Sequence, residues 1–351
     1  MKKLTEFSQY LIDESTSLLN AMEKLDQATY KSLFVVRDGR LVAAVTDGDI
    51  RRWVLKSGDL NAPVSKFANY SPKSVQVDKL EEAKAIFKRY LISALPVIDG
   101  DGKMIAVLVP KEMAKYKKLD VPVVIMAGGA GTRLYPYTKI LPKPLIPIGD
   151  VPIIERIIDF FCKQGCHRFY MIVNHKKNMI KAYFNEIKHP HYELTFIDED
   201  IPLGTGGGLS LLKGMLKESF ILTNCDNIIN VEFADVMKLH KDADNAVTVL
   251  ASVQKVVIPY GVLHVGEDGR LKRMEEKPVL PHLINTGCYL VSPEVIEALT
   301  VNERIDFPTI ITNQMEQGKT VGIYPINSED FLDMGQFDQM ERMKNVLHIE
   351  D

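Results

Sequence analysis

The chain has 351 residues, 46% of them apolar and 25% charged, with a formal net charge of −3 at pH 7. That length accommodates two or three domains with cores of their own, and the composition is ordinary for a soluble globular protein. The near balance of charge excludes a global pull on nucleic acid or an anionic membrane, and no apolar run approaches the ~18 residues that would span a bilayer.

The N-terminus, Met1-Lys2-Lys3-Leu4, runs into Glu6, Asp13 and Glu14 instead of the apolar stretch of a secretory leader. The four cysteines, Cys162, Cys166, Cys225 and Cys288, have neither CxxC spacing nor a metal-like histidine grouping. Reduced, buried or half-buried thiols in a cytoplasmic protein are expected. Short basic clusters, Lys115-Tyr116-Lys117-Lys118 and Lys176-Lys177, read as solvated faces.

An internal repeat occupies the first 115 or so residues. The segment from Ser32 to Val45 resembles that from Ala94 to Leu108, with their turn glycines, Gly39 and Gly102, 63 residues apart. Each copy reads as strand, Asp/Gly turn, strand, with an amphipathic helix before it at Thr16–Leu25 or Leu80–Tyr90. Units this small bury an apolar face only by packing on each other. The pair resembles tandem CBS domains, α+β modules that often bind adenine nucleotides. In the first copy Thr46 and Asp49 match that family's ribose-binding Thr-x-x-Asp pattern, which implies an adenine nucleotide there. The second copy has Val109 and Glu112 instead, so its half-site is degraded. Packing or dimerisation of the module competes with ligand sensing.

A polar stretch ends at Val121-Pro122, which places a linker at 116–121 between a repeat domain at 1–115 (copies near 1–60 and 61–115) and a second domain at 122–351. In that domain apolar strands near 122–126, 168–174, 193–198, 219–223 and 246–253 alternate with helical patterns. The order predicts an α/β fold with a mostly parallel sheet flanked by helices, and ligands beyond the strands' C-terminal ends.

The run Ala127-Gly128-Gly129-Ala130-Gly131-Thr132-Arg133-Leu134 lies at such an end, and Pro142-Lys143-Pro144 follows it. Glycines there let backbone N–H groups approach an anion, while Arg133 and Lys143 add two cations, which suits a polyphosphate. No Gly-Lys-Ser/Thr follows, so this is not a Walker loop, and Leu134 stands where a dinucleotide fingerprint needs its third glycine. A second flexible turn, Leu203-Gly204-Thr205-Gly206-Gly207-Gly208, could face a base or ribose. Strand-end acids follow in Asn224-Cys225-Asp226 and Leu332-Asp333-Met334-Gly335, where oxygen ligands suit Mg2+ and helix capping is the alternative for Asp226. Between them come Tyr260-Gly261-Val262, Glu276-Lys277-Pro278 and Asn285-Thr286-Gly287, the Glu-Lys pair suiting a sugar hydroxyl and a phosphate.

This ordered set, covering residues 121 to about 345, resembles the sugar-1-phosphate nucleotidyltransferase family. The resemblance implies a GT-A/Rossmann-like fold and the reaction of an NTP with a sugar 1-phosphate to give an NDP-sugar and pyrophosphate. It implies that Ala127, Gly128, Gly129, Gly131, Thr132, Arg133, Gly204 and Thr205 hold the nucleotide, with Arg133, Lys143 and Lys277 at the reacting phosphates. It further implies Mg2+ on Asp226 and Asp333, and a sugar phosphate on Gly261, Glu276, Lys277, Asn285 and Thr286. One departure is Cys225, where many members have Gly before the Asp. A catalytic domain behind a CBS pair is similar to bacterial guanylyltransferases of surface or flagellar glycans, those making legionaminic acid from glucosamine 1-phosphate among them. GTP, glucosamine 1-phosphate and a homo-oligomer are the implied partners, with mannose 1-phosphate or a heptose 1-phosphate as alternative sugars. A nucleotide sensor with an inactive transferase domain is the competing function.

Overall fold

The structure, a computed structural model, describes residues 1–28, 30–57, 59–90, 92–109, 118–186, 191–335 and 343. Glu112, Lys115–Lys117 and the first residues of the expected linker lie outside them. Contacts group the chain into two units, Met1–Lys115 with Lys255–His282, and Tyr116–Gln254 with Leu283–Asp351.

In the second unit successive side chains of a strand enter cores on opposite sheet faces, which is why its strands are apolar without alternation. Val123, Ile125 and Ala127 of β1 (Val123–Ala127) lie in one apolar cluster, and Val124 lies in the other. The remaining strands are β2 (Arg168–Val173), β3 (Glu193–Asp198), β4 (Phe220–Asn224), β5 (Asn227–Ile229), β6 (Val247–Val257), β7 (Val279–Val291), β8 (Val321–Ile326) and β9 (Phe331–Asp333). Seven of them form one sheet in the order β3-β2-β1-β4-β7-β6-β8. The pairs β2–β3, β1–β2, β1–β4 and β6–β8 are parallel, and β4–β7 is antiparallel. The expected mostly parallel α/β sheet is therefore present, with one strand reversed.

Helix α1 (Ile153–Lys163) places Ile153, Ile154, Ile157, Ile158 and Phe161 on one stripe against the first core. Helices α2 (Lys177–Glu186) and α3 (Phe233–Asp242) cover the same face, with Phe161 edge-on to Phe233 at 5.1 Å. Helix α4 (Phe307–Glu316) and the 3-10 turn Gly207–Leu212 cover the other face through Phe307, Ile310, Leu209 and Leu212. Among the described residues no helix is long and apolar enough to cross a membrane.

The first unit contains the two expected repeats, as strands Ser32–Arg37 and Arg40–Thr46 in one copy and Leu95–Ile98 and Met104–Val109 in the other. The copies join at their turns, where Leu41 N donates to Gly102 O and Met104 N donates to Gly39 O, both at 3.0 Å. The first helix runs over Leu18–Gln27, later than the apolar pattern implies, because Ser17 caps it by accepting from Asn20 N. The segment Lys255–His282 adds an antiparallel ribbon of Val262–Val265 and Leu271–Glu275.

His240 on α3 is buried between Thr248 Oγ1, 2.9 Å from Nδ1, and Ser292 Oγ, 3.2 Å from Nε2. Ser292 donates to Asn245 O and Asn245 Nδ2 donates to Thr248 Oγ1, so the network assigns the neutral ring its proton on Nε2. Burial pushes the imidazole from 6.5 down to about 4. The folded state then binds fewer protons than the unfolded one between those values, so this contribution is complete above pH 6.5 and is lost as pH falls toward 4. The stability advantage of the wild type over His240→Gln is expected to shrink when melting is compared at pH 7.5 and 5; an unchanged gap would contradict the assignment.

Candidate functional site

Strand β1 ends at Ala127, whose methyl is buried in the core and lines neither of the two cavities described below. Gly128, Gly129, Gly131, Thr132 and Arg133 do line one, a cavity of about 510 Å3 that also includes Lys143, Glu199, Gly204, Thr205 and Asp226. Gly131 is required by its backbone, with φ of +65°. A Cβ there would also lie 2.9 Å from Thr138 Cγ2 and 3.1 Å from Lys143 Cβ. The loop is tied back by Thr138 Oγ1, which donates to Gly131 O at 2.9 Å. The Pro-flanked 3-10 turn Lys143–Leu145 then directs the Lys143 ammonium onto the Asp226 carboxylate.

Asp226 and Asp333 meet because β5 pairs antiparallel with β9, placing Asn227 opposite Asp333. Met334 N donates to Asp226 O at 2.8 Å and Gly335 N donates to Asp333 Oδ1 at 2.8 Å, which fixes both acids at one edge. Burial and then the Asp226 charge raise the Asp333 pKa, while Lys143 and Arg133 oppose that rise. Among the described residues no group of three or more His, Cys, Asp or Glu is placed to hold a metal. Two crowded carboxylates nevertheless fit a hard divalent cation that takes its other oxygen ligands from phosphates and water. The Cys225 thiol between them and β4 is pushed up to about 12 by burial, so it stays protonated and fills space.

A second cavity of about 600 Å3 shares Arg133, Thr205, Asn224 and Asp226 with the first. Its lining is rich in amides and hydroxyls, including Asn224, Asn227, Ser252, Gln254, Asn285 and Thr286, with Asp333 at the shared end. Asn227 accepts from Thr223 Oγ1 at 3.0 Å and donates to Thr286 O at 2.6 Å. Thr286 Oγ1 donates to Leu250 O at 2.7 Å, and Asn285 Nδ2 donates to Tyr289 OH at 2.8 Å. Asn285 and Thr286 thus line the cavity, and the Thr286 hydroxyl is held by the sheet.

The second glycine turn has a different basis from the one its composition implies. Gly206 N and Gly207 N both donate to Ile305 O at 3.0 Å, so these backbone donors are not free for a base. A Cβ on Gly207 would come within 2.2 Å of Glu303 O, which makes close backbone packing the reason for the glycine. Thr205 Oγ1 donates to Asp306 Oδ1 at 3.1 Å and accepts from Phe307 N at 3.1 Å, locking the start of α4. Gly204 and Thr205 still form cavity wall.

Gly261, Glu276 and Lys277 are placed in the first unit. They belong to the Lys255–His282 segment, where the Gly261 Cβ position lies 3.1 Å from Glu276 Oε2 and Lys277 N donates to Tyr260 O at 3.3 Å. Thr46 and Asp49 are close, but to each other: Thr46 N and Oγ1 donate to Asp49 Oδ2 at 2.9 and 2.6 Å, and Arg52 pairs with the same carboxylate. Lys176 corrects the reading of its cluster as a solvated face, since its ammonium donates to the carbonyls of Thr138, Lys139 and Ile140 in the short helix Tyr137–Ile140. Sequence reasoning missed Glu199, a buried acid just beyond β3 on the wall of the first cavity, because Asp198 and Asp200 beside it make the stretch read as solvated.

The fold and site define an α/β protein in which a glycine-rich loop, the buried Asp226 and the half-buried Asp333 lie at two adjoining cavities. The chain belongs to the nucleotidyl transferase family, whose profile matches residues 122–348. Two CBS domain matches cover residues 9–56 and 71–118. It is 26% identical over 248 residues to a UTP–glucose-1-phosphate uridylyltransferase of Synechocystis sp., covering 64% of this chain and 62% of that protein. It is 32% identical over 200 residues to the mannose-1-phosphate guanylyltransferase catalytic subunit beta of Drosophila pseudoobscura pseudoobscura, covering 54% of each. The matches thus span between half and two thirds of these relatives' length. In fold it is similar to HddC from Yersinia pseudotuberculosis, with 23% identity, coverage of 66% of this chain and 100% of that one, and a TM-score of 0.52. The same protein complexed with GMP-PN matches at 23% identity and a TM-score of 0.50, covering 63% of this chain and 97% of that one.

Proposed function

We propose that the chain is a sugar-1-phosphate nucleotidyltransferase that transfers a guanylyl group from GTP, releasing pyrophosphate. One observation carries this reading: Arg133 and Asp226 line both of two adjoining cavities, the first bearing the glycine loop and suited to a nucleoside triphosphate, the second bearing Asp333 and a polar lining suited to a second phosphorylated ligand. The family supports nucleotidyl transfer, and the relatives named as mannose-1-phosphate guanylyltransferases support the base.

In the proposed reaction a phosphate oxygen of the sugar 1-phosphate attacks the α-phosphorus of GTP. A bond forms between that oxygen and the α-phosphorus as the bond to the β-phosphate oxygen breaks, and pyrophosphate departs. The attacking oxygen is ionised at neutral pH, so no protein base is needed. The task of the chain is to align two polyanions and offset the charge on the departing group. Arg133 and Lys143 are the cations of the cavity suited to this, and Lys143 has a side chain only 13% exposed. A divalent cation bound by Asp226 and Asp333 would supply further charge neutralisation at the phosphate oxygens. Glu276 and Lys277 remain proposed sugar-phosphate contacts on family resemblance alone.

For the sugar, the CBS-plus-transferase arrangement supports glucosamine 1-phosphate and a role in surface or flagellar glycan synthesis, legionaminic acid included. A specific observation favours the alternative of mannose 1-phosphate or a heptose 1-phosphate. Among the described residues the second cavity is lined, apart from Asp226 and Asp333, by neutral and cationic groups, so a sugar ammonium would compete with the metal for those two carboxylates. The reading also places the protein in the cytoplasm as a homo-oligomer, with an adenine nucleotide at Thr46 and Asp49 as its regulatory ligand. Guanosine, adenosine, uridine, thymidine and cytidine triphosphates assayed against glucosamine, N-acetylglucosamine, mannose, glucose and heptose 1-phosphates, with pyrophosphate release as readout, test it. Turnover is expected in the GTP row, and a matrix without turnover would favour the inactive sensor.

A further inference from the structure

Lys143 and Asp226 form an ion pair with side chains only 13% and 9% exposed. The lysine stem runs under the glycine loop: a Cβ on Gly131 would lie 3.1 Å from its Cβ and 3.5 Å from its Cδ. The side chain thus reaches from the loop to the acid, and it lines the first cavity together with Gly128–Arg133 and Asp226. Asp333, beside them, feels Asp226 as a repelling charge and Lys143 and Arg133 as attracting ones. Two carboxylates and two cations leave this cluster close to neutral. A buried charge loses its partner only at a cost, so whatever displaces one member of the pair has to replace it.

A divalent cation and the Lys143 ammonium need the same carboxylate, and a polyphosphate on the glycine loop needs the same ammonium. We infer that Lys143 guards Asp226 against free metal and yields it when a polyphosphate draws the ammonium toward the loop, an inference that rests on the metal reading of Asp226 and Asp333. A divalent cation alone adds positive charge to a balanced cluster and meets an ammonium at its ligand. A triphosphate alone adds several negative charges. Bound together the two offset each other, so each raises the affinity of the site for the other, and by linkage the coupling is equal in both directions. The donor set suits this arrangement. Among the described residues no group of three or more His, Cys, Asp or Glu is placed to hold a metal, so the two carboxylates make a weak site that phosphate oxygens complete. Lys143 therefore selects the metal–polyphosphate complex over either component.

The test is Mn2+ binding to the full chain without nucleotide, read by electron paramagnetic resonance of the free ion. It compares the wild type, Lys143→Met, Lys143→Arg and the double variant Lys143→Met with Asp226→Asn, and thermal unfolding without metal reports that each is folded. Lys143→Met removes the competing charge and should tighten Mn2+ by about 10- to 100-fold over the wild type. Lys143→Arg keeps a cation and should bind Mn2+ as weakly as the wild type does. Adding Asp226→Asn to Lys143→Met should abolish the gain. In the wild type itself, sulfate draws the ammonium off Asp226 and should tighten Mn2+ relative to chloride at equal ionic strength; this arm decides if Lys143→Met does not fold. Equal Mn2+ affinity in the wild type and Lys143→Met, or a gain shared by Lys143→Arg, overturns the role of Lys143 and leaves the metal site standing. So does the lack of a sulfate effect where that arm decides. Mn2+ binding that is unchanged by Asp226→Asn, or none in any of the proteins, overturns the metal reading and this inference together.

Discussion

Asp226→Asn is expected to lower kcat/KM for pyrophosphate release by at least about a hundredfold, on the order of 3 kcal/mol of transition-state stabilisation. The substitution preserves the shape of the side chain and removes one of two anions at the edge where β5 meets β9. It weakens the cation site and frees the Lys143 ammonium from its partner. The fold should survive, because Asp333 still opposes Lys143 and the backbone bond from Met334 N to Asp226 O does not use the side chain. The measurement pairs steady-state kinetics over a metal titration with thermal unfolding. A large loss of turnover at nearly constant stability supports the assignment, and near-normal kcat/KM at low metal would sink it.

Gly131→Val is the second large effect. A β-branched residue at φ of +65° is strained on its own account, by about 1–2 kcal/mol. Its branches would also press on Thr138 and on the Cβ of Lys143, the side chain that the loop has to hold in place. The loop is expected to shift, with nucleotide affinity and turnover together falling by at least about thirtyfold, or roughly 2 kcal/mol. Because Gly131 lies past the end of β1, the cores on either sheet face should stay intact. Calorimetric GTP titration and kinetics on the same preparation check this, and unchanged affinity would mean that the loop does not hold the phosphates.

Legibility in the sequence followed the range of the interactions involved. Strands buried on both faces appear as continuous apolar runs, so β1 and β4 could be read directly, and their order fixed the end of the sheet at which to look for ligands. The glycine loop was legible because its constraint is local: a strand end, a positive φ at Gly131 and cations close in the chain. Interactions between distant segments left no such trace. Gly207 is small because Glu303 passes behind it, and nothing in Leu203–Gly208 reports that neighbour. Glu199 becomes exceptional only when Gly128 and Gly208 enclose it. The Thr46–Asp49 spacing was readable, but the bonds these residues make to each other and to Arg52 emerge only from the geometry at the start of their helix. The expected sugar-phosphate set of Gly261, Glu276, Lys277, Asn285 and Thr286 draws on both units, a grouping set by contacts between distant segments.

The central claim, attack by a sugar-phosphate oxygen on the α-phosphorus of a nucleoside triphosphate, is tested most directly by isotope tracing. The sugar 1-phosphate is prepared with 18O in its three non-bridging oxygens and incubated with unlabelled GTP, the protein and a divalent cation, and the products are read by 31P NMR and mass spectrometry. The account predicts an NDP-sugar retaining all three labelled oxygens, one of them in the new bridge, together with unlabelled pyrophosphate. Label in the pyrophosphate, or orthophosphate as the only phosphorus product, would contradict it.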